Sequence, residues 1–456
     1  MVIKSLNPAT GKKLKEFKEF NNEKINNEID KSLNAFYKFK EKTFSEKSKL
    51  LRKTADVLRK NKKEYSNLMT LEMGKPILQS EAEIEKCAWV CEFYADNGEN
   101  FLKKEFVKTD ADNSFVQFVP LGIILGIMPW NFPFWQVFRW AAPSLMAGNV
   151  CILKHSSNVP QCALAIEYIF NEAGFLDGTF KSFLVSSNKI EDIINNKRIA
   201  AISLTGSTKA GCNTAINAGK NIKKTVLELG GSDPFIVLND ADIKKATTKA
   251  IDARMINNGQ SCIAAKRFII VKDVFDEFKK SFVKKVEKLR LGNPTDKNVD
   301  IGPLARLDIL EELDSQVKNS VNMGAEISTG GKRIEGPGFF YLPTVISNVK
   351  KGMPVYDEET FGPVAALITV ADEKEAIKIA NDTCYGLGAS IWTKNIKKGE
   401  NLAKYLNSGN VFVNEMVKSD PRLPFGGVKK SGLGRELSHY GIKEFVNIQT
   451  VYIKKI

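Results

Sequence analysis

Apolar residues in the first hundred positions recur every three or four residues. Ile25, Ile29, Leu33, Ala35 and Phe36 follow this spacing, and Ser45 precedes a second run containing Leu50, Leu51, Ala55 and Leu58. The pattern predicts amphipathic helices, the second capped by Ser45. The character changes at Glu105. Phe106-Val107 and the apolar run 115–119 flank the polar residues 110–113, a hairpin pattern. Short apolar runs at 121–128, 150–153, 180–184 and 200–204 then alternate with helical stretches such as 162–172. That alternation predicts βαβ units and a parallel sheet. It resumes beyond Gly231 with runs at 235–238 and 268–271, which implies a second α/β domain. Residues 445–453 read as a long terminal strand that needs a partner, with another subunit as one candidate.

The chain has 456 residues, too many for one ordinary core and suited to two or three domains. Its seven cysteines form an odd set with no C-x-x-C spacing. This points to a reduced, cytoplasmic setting and against a structural metal site. Residues 118–138 are nearly free of charge, but Pro120, Pro129 and Pro133 interrupt them and Arg139 follows. A buried strand running into a turn suits them better than a membrane span. The net charge of +14 invites a nucleic-acid partner. The basic residues, however, are dispersed as solvated helix faces with no recognition motif, so a mild attraction for anionic ligands is the simpler consequence.

Candidate chemistry centres on Cys262 in the run Asn257-Asn-Gly-Gln-Ser-Cys262. Glu228, in Glu-Leu-Gly-Gly, lies 34 residues upstream. The only histidines are His155 and His439, neither near Cys262 in sequence, which disfavours a Cys–His couple. A thiolate nucleophile with a carboxylate that activates water fits what remains. Either residue alone is more often structural: a lone Cys is commonly inert core and a lone Glu commonly ion-paired. Two glycines after Glu228 imply close backbone approach. Asn131, within Pro129-Trp-Asn-Phe-Pro133, sits in a turn rigid enough to aim its amide as an oxyanion donor, though a turn Asn often caps its own backbone. Gly206, Ser207 and Gly211 open a helix after a predicted strand, a place where backbone amides and a hydroxyl can hold a pyrophosphate. A capped helix without a ligand is the plain alternative. No G-x-G-x-x-G fingerprint occurs anywhere.

Taken together, Asn131, Lys154, Gly206-Ser207, Glu228-Leu229-Gly-Gly, Cys262 and Glu359-Thr-Phe361 resemble, in order and spacing, the NAD(P)-dependent aldehyde dehydrogenase superfamily. The resemblance runs from Asn7-Pro8-Ala9-Thr10-Gly11 to the terminal strand. Trp135, Arg139, the segment Lys154–Pro160 and the run 418–427 look like the shorter bacterial and archaeal succinate-semialdehyde dehydrogenases. Ser232 departs from the Lys found there in many relatives, and Ala264 replaces the second Cys of some.

The resemblance implies an α/β fold of the aldehyde dehydrogenase kind. It comprises a Rossmann-like cofactor domain (1–100 and 121–229), a catalytic α/β domain (230–425) and a small β oligomerisation element (101–120 and 426–456) that makes a homodimer or homotetramer. It also implies roles. Cys262 attacks the aldehyde, Asn131 holds the oxyanion and Glu228 activates the hydrolytic water. Trp130, Leu229, Glu359 and Phe361 join Lys154, Ser157 and the 206–211 segment around the cofactor. NADP is the expected cofactor, with NAD second, because Ser157 stands three residues after Lys154 where NAD-preferring relatives carry Glu. Arg139, eight residues after Asn131, is expected to take a substrate carboxylate, with Trp135, Ser261 and Ser419 beside it; the plain alternative is that it pairs with an internal acid as a structural bridge. Succinate semialdehyde is therefore the expected substrate, ahead of glyceraldehyde or lactaldehyde. A CoA-acylating relative generally lacks the hydrolytic Glu, and a basic interaction protein on the same scaffold would leave the Cys–Glu–Asn set unexplained.

Overall fold

The computed structural model describes residues 2–456. Two large, mostly parallel sheets organise it. The first has six strands in the order Gly432–Leu433, Lys224–Glu228, Ile199–Thr205, Ile123–Met128, Val150–His155 and Phe180–Ser182. All of its pairings are parallel except the edge pairing of Gly432–Leu433 with Lys224–Glu228. The second has seven strands in the order Glu326–Thr329, Thr344–Ser347, Val364–Val370, Ala265–Val271, Asp233–Val237, Gly388–Trp392 and Asn410–Val413. Only its first pairing is antiparallel. The central strands are almost wholly buried and apolar through their middles, with the charged residues Lys154, Asp233, Lys266 and Arg267 near their ends, as expected of parallel sheets covered by helices on both faces.

This arrangement positions the chemistry. Glu228 ends a strand of the first sheet, and Asp233 begins a strand of the second only five residues later. The segment Leu229–Ser232 therefore crosses from the carboxyl edge of one sheet to the amino edge of the other. Cys262 lies three residues before the strand Ala265–Val271, at that same amino edge. Residues following the first sheet's strands, among them Asn131, Ser157 and Gly206, face the crossing from the other side, at the strand ends where ligands of open α/β sheets bind.

Three local expectations change. The first hundred residues are not wholly helical: Val2–Leu6 and Lys13–Lys18 form an antiparallel hairpin whose second strand is largely exposed and polar, leaving no apolar alternation to read. The second helix, Phe44–Lys60, is capped by Thr43 and not Ser45. Thr43 Oγ1 accepts from the Glu46 amide while the Glu46 carboxylate accepts from the Thr43 amide. The terminal strand Val446–Ile453 finds its partner within its own chain. It pairs antiparallel with Asn113–Pro120, which in turn pairs with Glu105–Phe106. On its way there the chain passes back along the first sheet through Gly432–Leu433, so residues 426–456 do not form one separate piece. Among the described residues no helix is long and apolar enough to cross a membrane. All seven cysteines are free thiols.

Candidate active site

The nucleophile loop owes its shape to backbone conformations few residues tolerate. After the helix Ile243–Met255, Asn257, Asn258 and Gly259 all take positive φ (54°, 59° and 75°). Asn tolerates this region better than most side chains. The side chains also staple the loop. Asn257 Nδ2 donates to the Asn131 carbonyl (2.6 Å), and Asn258 Nδ2 donates to the Gly74 and Pro303 carbonyls (2.9 Å each). Arg254, fully buried, spends its guanidinium on the carbonyls of Gly259, Ala265 and Gly362. Lys266 Nζ donates to the carbonyls of Ser261 (2.9 Å) and Cys262 (2.8 Å) and pairs with Glu359 Oε1 at 3.4 Å.

Glycines let the Glu228 segment meet this loop. A Cβ on Gly231 would stand 2.7 Å from the Cys262 carbonyl oxygen, and one on Gly230 would collide with the Glu359 carboxylate. Gly211 is similarly closed, since a Cβ there would lie 2.5 Å from Leu229 Cδ2. The close approach read from Glu-Leu-Gly-Gly is thus literal.

The Asn131 turn is braced by a residue whose role the sequence did not disclose. His155 Nε2 donates to the Pro133 carbonyl (2.9 Å) while Nδ1 accepts the Ser156 amide (2.9 Å), which also donates to the Met128 carbonyl, so this buried imidazole ties the far end of the turn to the strand Val150–His155. Burial lowers its pKa to about 4. Glu83 accepts the amides of Phe134 and Trp135 at 2.9 Å, capping the helix Trp135–Met146, and its carboxylate also pairs with the buried Lys75. Asn131 Nδ2 donates to the Gln260 carbonyl at 3.1 Å. An amide nitrogen carries two hydrogens, so one remains to meet an oxyanion.

A cavity of about 640 Å³ opens beside Cys262. Trp135, Arg139, Ser261 and Ser419 line it with the thiol. Trp135 Nε1 donates to Ser419 Oγ (3.1 Å), and Lys86 Nζ, reaching in from the helix Ile77–Phe101, donates to the same oxygen (2.8 Å) while lying over the Trp135 ring. Both bonds use oxygen lone pairs, so the Ser419 hydrogen is free to donate; Ser261 Oγ has no partner. Lys86 was missed because on a helix with many charges it reads as part of a solvated face.

Arg139 lines the cavity as expected, but it is not a free cation. Its Nε pairs with the buried carboxylate of Glu436, and its Nη2 donates to Thr205 Oγ1 at 3.3 Å. The internal acid that was the alternative partner for Arg139 is thus present, and of its guanidinium nitrogens only Nη2 makes a hydrogen bond among the described residues. Glu436 comes from the C-terminal segment, 297 positions away, and nothing in sequence spacing links the two.

Glu228 does not line the cavity. It is buried, its Oε1 has no partner, and its backbone carbonyl accepts the Gly206 amide at 3.0 Å. Burial raises its pKa well above the carboxylate range, against the pull of Arg139 and with reinforcement from Glu436. Burial likewise pushes the Cys262 thiol up to about 12, with Arg139 and Lys266 opposing and Glu359 and Glu228 adding to the rise. The thiol at rest is therefore protonated, and its activation requires a change at the site.

The cofactor candidates gather along the carboxyl edge of the first sheet. Lys154 ends up buried on Val150–His155 with no ion pair among the described residues, its pKa lowered by burial. Ser157 is exposed just beyond that strand. Ser207 caps the helix Thr208–Lys220 by accepting from the Ala210 amide (3.3 Å). The Trp130 and Phe361 rings meet edge to face at 5.7 Å, and Glu359 Oε1 also accepts the Gly231 amide at 3.0 Å. A buried, unpaired cation, helix-start amides and an aromatic wall are a donor set that fits a nicotinamide dinucleotide.

Residues 1–451 match the Aldehyde dehydrogenase family. The chain belongs to this family. It is 51% identical over 453 residues to a Synechocystis protein named probable NADP(+) succinate-semialdehyde dehydrogenase, covering 99% of this chain and 100% of that one. It is 46% identical over 456 residues to the NADP(+) succinate-semialdehyde dehydrogenase 1 of Mycobacterium bovis, with 99% and 100% covered. The solved succinic semialdehyde dehydrogenase of Streptococcus pyogenes in complex with NADP+ superposes with a TM-score of 0.97 at 35% identity, covering 99% of this chain and 100% of that one. As a family member the chain is an NAD(P)-dependent oxidoreductase acting on aldehydes.

Proposed function

We propose that this enzyme oxidises succinate semialdehyde to succinate with NADP in preference to NAD. The observation that carries the substrate reading is the convergence of Cys262 with Trp135, Arg139, Ser261 and Ser419 on one cavity. Its walls are apolar, its hydroxyls are free to donate and its far side is cationic, which suits a short aldehyde ending in a carboxylate. The relatives' names point the same way.

In this reading the Cys262 thiol gives up its proton to water and the resulting thiolate attacks the carbonyl carbon to form a thiohemiacetal. The Asn131 amide and the Cys262 N–H receive the developing oxyanion, each such donor contributing ~3 kcal/mol. NADP, which Lys154, Ser157 and the 206–211 segment would hold, would supply the hydride acceptor that converts the thiohemiacetal on Cys262 to a thioester. Glu228, which burial keeps protonated at rest, must first release that proton to solvent; as a carboxylate it then takes a proton from water as the water attacks, a role worth roughly 10²–10⁴ in rate. The chain's own contribution to the first step is positional. The stapled 257–262 loop and the braced 129–133 turn hold nucleophile and oxyanion donor in fixed register. Arg139 Nη1 and the Ser261 and Ser419 hydroxyls orient the carboxylate end. Ser157 and Lys154 favour the 2′-phosphate, since no carboxylate stands at 157 to repel it.

The enzyme works as a homodimer or homotetramer in a reducing, cytoplasmic setting. Ile448, Tyr452 and Ile453 on the terminal strand and Phe106 and Val107 on the hairpin are exposed, leaving apolar surface at the edges of a three-stranded sheet. The deciding experiment is a panel of succinate semialdehyde, butyraldehyde, lactaldehyde and glyceraldehyde, each with NADP and NAD. The highest kcat/KM is expected for succinate semialdehyde with NADP. A higher value for lactaldehyde or glyceraldehyde would replace the substrate.

A further inference from the structure

Five cations line the cavity beside Cys262: Lys86, Arg139, Arg290, Lys297 and Lys418. Four have carboxylate partners. Arg139 pairs with Glu436, Arg290 with Asp300 (3.2 Å), Lys297 with Glu81 (3.8 Å) and Lys418 with Glu415 (3.7 Å). Lys86 alone has no ion pair among the described residues. Its neighbours are neutral: the Ser419 hydroxyl and the Trp135 ring face. The nearby acids are committed elsewhere, Glu83 to Lys75 and two backbone amides and Asp420 to Arg422.

We propose that Lys86 is the residue that selects an anionic substrate, receiving the distal carboxylate together with the Ser419 hydroxyl. The assignment rests on the aldehyde oxidation proposed above. A partly buried ammonium without a counter-ion is costly unless an anion completes it, and the chain supplies none. The Arg139 charge is already balanced by Glu436, so the uncompensated charge at this end of the cavity is that of Lys86. Trp135 Nε1 and Lys86 Nζ both donate to Ser419 Oγ, which leaves the Ser419 hydrogen free as a second donor group, beside the ammonium, for the same carboxylate. A lactaldehyde or glyceraldehyde molecule offers only a neutral hydroxyl there and gains nothing from the charge.

Burial, reinforced by Arg139 from the facing helix, lowers the Lys86 pKa to about 8, while Cys87 and Glu83 on its own helix and Asp420 from the opposing loop raise it. Lys86 is thus charged below that pH and increasingly neutral above it. Preference for an anionic aldehyde should decline as the pH rises through about 8.

The test compares full-length wild type, Lys86→Met and Lys86→Arg by kcat/KM for succinate semialdehyde and butyraldehyde with NADP. Lys86→Met is expected to lower the ratio of the two values roughly 20- to 100-fold, as for loss of one partner of a close charge pair. Lys86→Arg should keep most of the preference and abolish its decline above about pH 8, since guanidinium stays charged. Glutarate, used as a substrate-like dicarboxylate, should protect wild type and Lys86→Arg against thermal unfolding and Lys86→Met much less. If Lys86→Met does not fold, Lys86→Gln carries the same comparison. A wild type that prefers succinate semialdehyde, with the ratio unchanged in the Met or Gln variant, overturns the assignment of Lys86 alone. A wild type with no such preference overturns the proposed substrate, and the assignment with it.

Discussion

Arg139 and Glu436 form a buried ion pair at the wall of the cavity that holds Cys262. The pair joins the helix that follows the Asn131 turn to the C-terminal segment, and both partners act electrostatically on Glu228. Removing one member leaves the other charge uncompensated in a low-dielectric site, which is more damaging than losing the contact itself.

Arg139→Ala is therefore expected to impair oxidation of both succinate semialdehyde and butyraldehyde. Losing a buried charge partner costs roughly 3–5 kcal/mol, so stability should fall and kcat/KM should drop at least tenfold on butyraldehyde and further on succinate semialdehyde. Steady-state kinetics with both aldehydes and thermal melts check this. A loss confined to succinate semialdehyde, with an unchanged melt, would show that Glu436 does not depend on Arg139.

Cofactor choice should turn on residue 157. Ser157→Glu places a carboxylate beside the position assigned to the 2′-phosphate, three residues beyond Lys154. The ratio of kcat/KM with NADP to that with NAD should fall by roughly 10²-fold, about 3 kcal/mol for a lost and repelled charged contact. Initial rates with each cofactor measure it. An unchanged ratio would move the 2′-phosphate away from Ser157.

The His155 brace should make stability sensitive to mild acid. Its folded pKa lies near 4, below the ordinary histidine value, so the native state binds fewer protons than the unfolded chain between these values. The contribution is fully present above about pH 6.5 and is lost as the pH falls toward about 4, ~2 kcal/mol of it by pH 5. The fall in melting temperature from pH 7 to pH 5 should be smaller in His155→Gln than in wild type. Equal falls would mean that His155 is not a neutral brace.

Much of this was legible in the chain, and what was not has identifiable causes. Parallel strands buried on both faces appear as continuous apolar runs, so the 121–128 and 268–271 runs were readable without a structure. Gly230 and Gly231 were readable because only glycine permits that approach to Cys262 and Glu359. The Arg139–Glu436 pair was not, because it joins residues 297 positions apart and neither carries a local signature. The Val2–Leu6 and Lys13–Lys18 hairpin escaped because its second strand is polar and exposed. Lys86 escaped for the opposite reason: it looks like any helix-surface lysine, and only the fold turns it inward onto Ser419.

The assembly has its own check. The exposed apolar residues of the terminal strand and hairpin predict a particle of at least twice 50.8 kDa by light scattering at micromolar concentration. A 50.8 kDa particle would contradict this.

The central claim is that Cys262 carries the acyl group and Glu228 releases it. The direct measurement is intact-protein and peptide mass spectrometry of Glu228→Gln, mixed with succinate semialdehyde and NADP and quenched during turnover. The account predicts one equivalent of NADPH formed rapidly, slow turnover thereafter, and a succinyl group on the peptide containing Cys262. Glu228→Gln turning over at the wild-type rate with an unmodified Cys262 would contradict it.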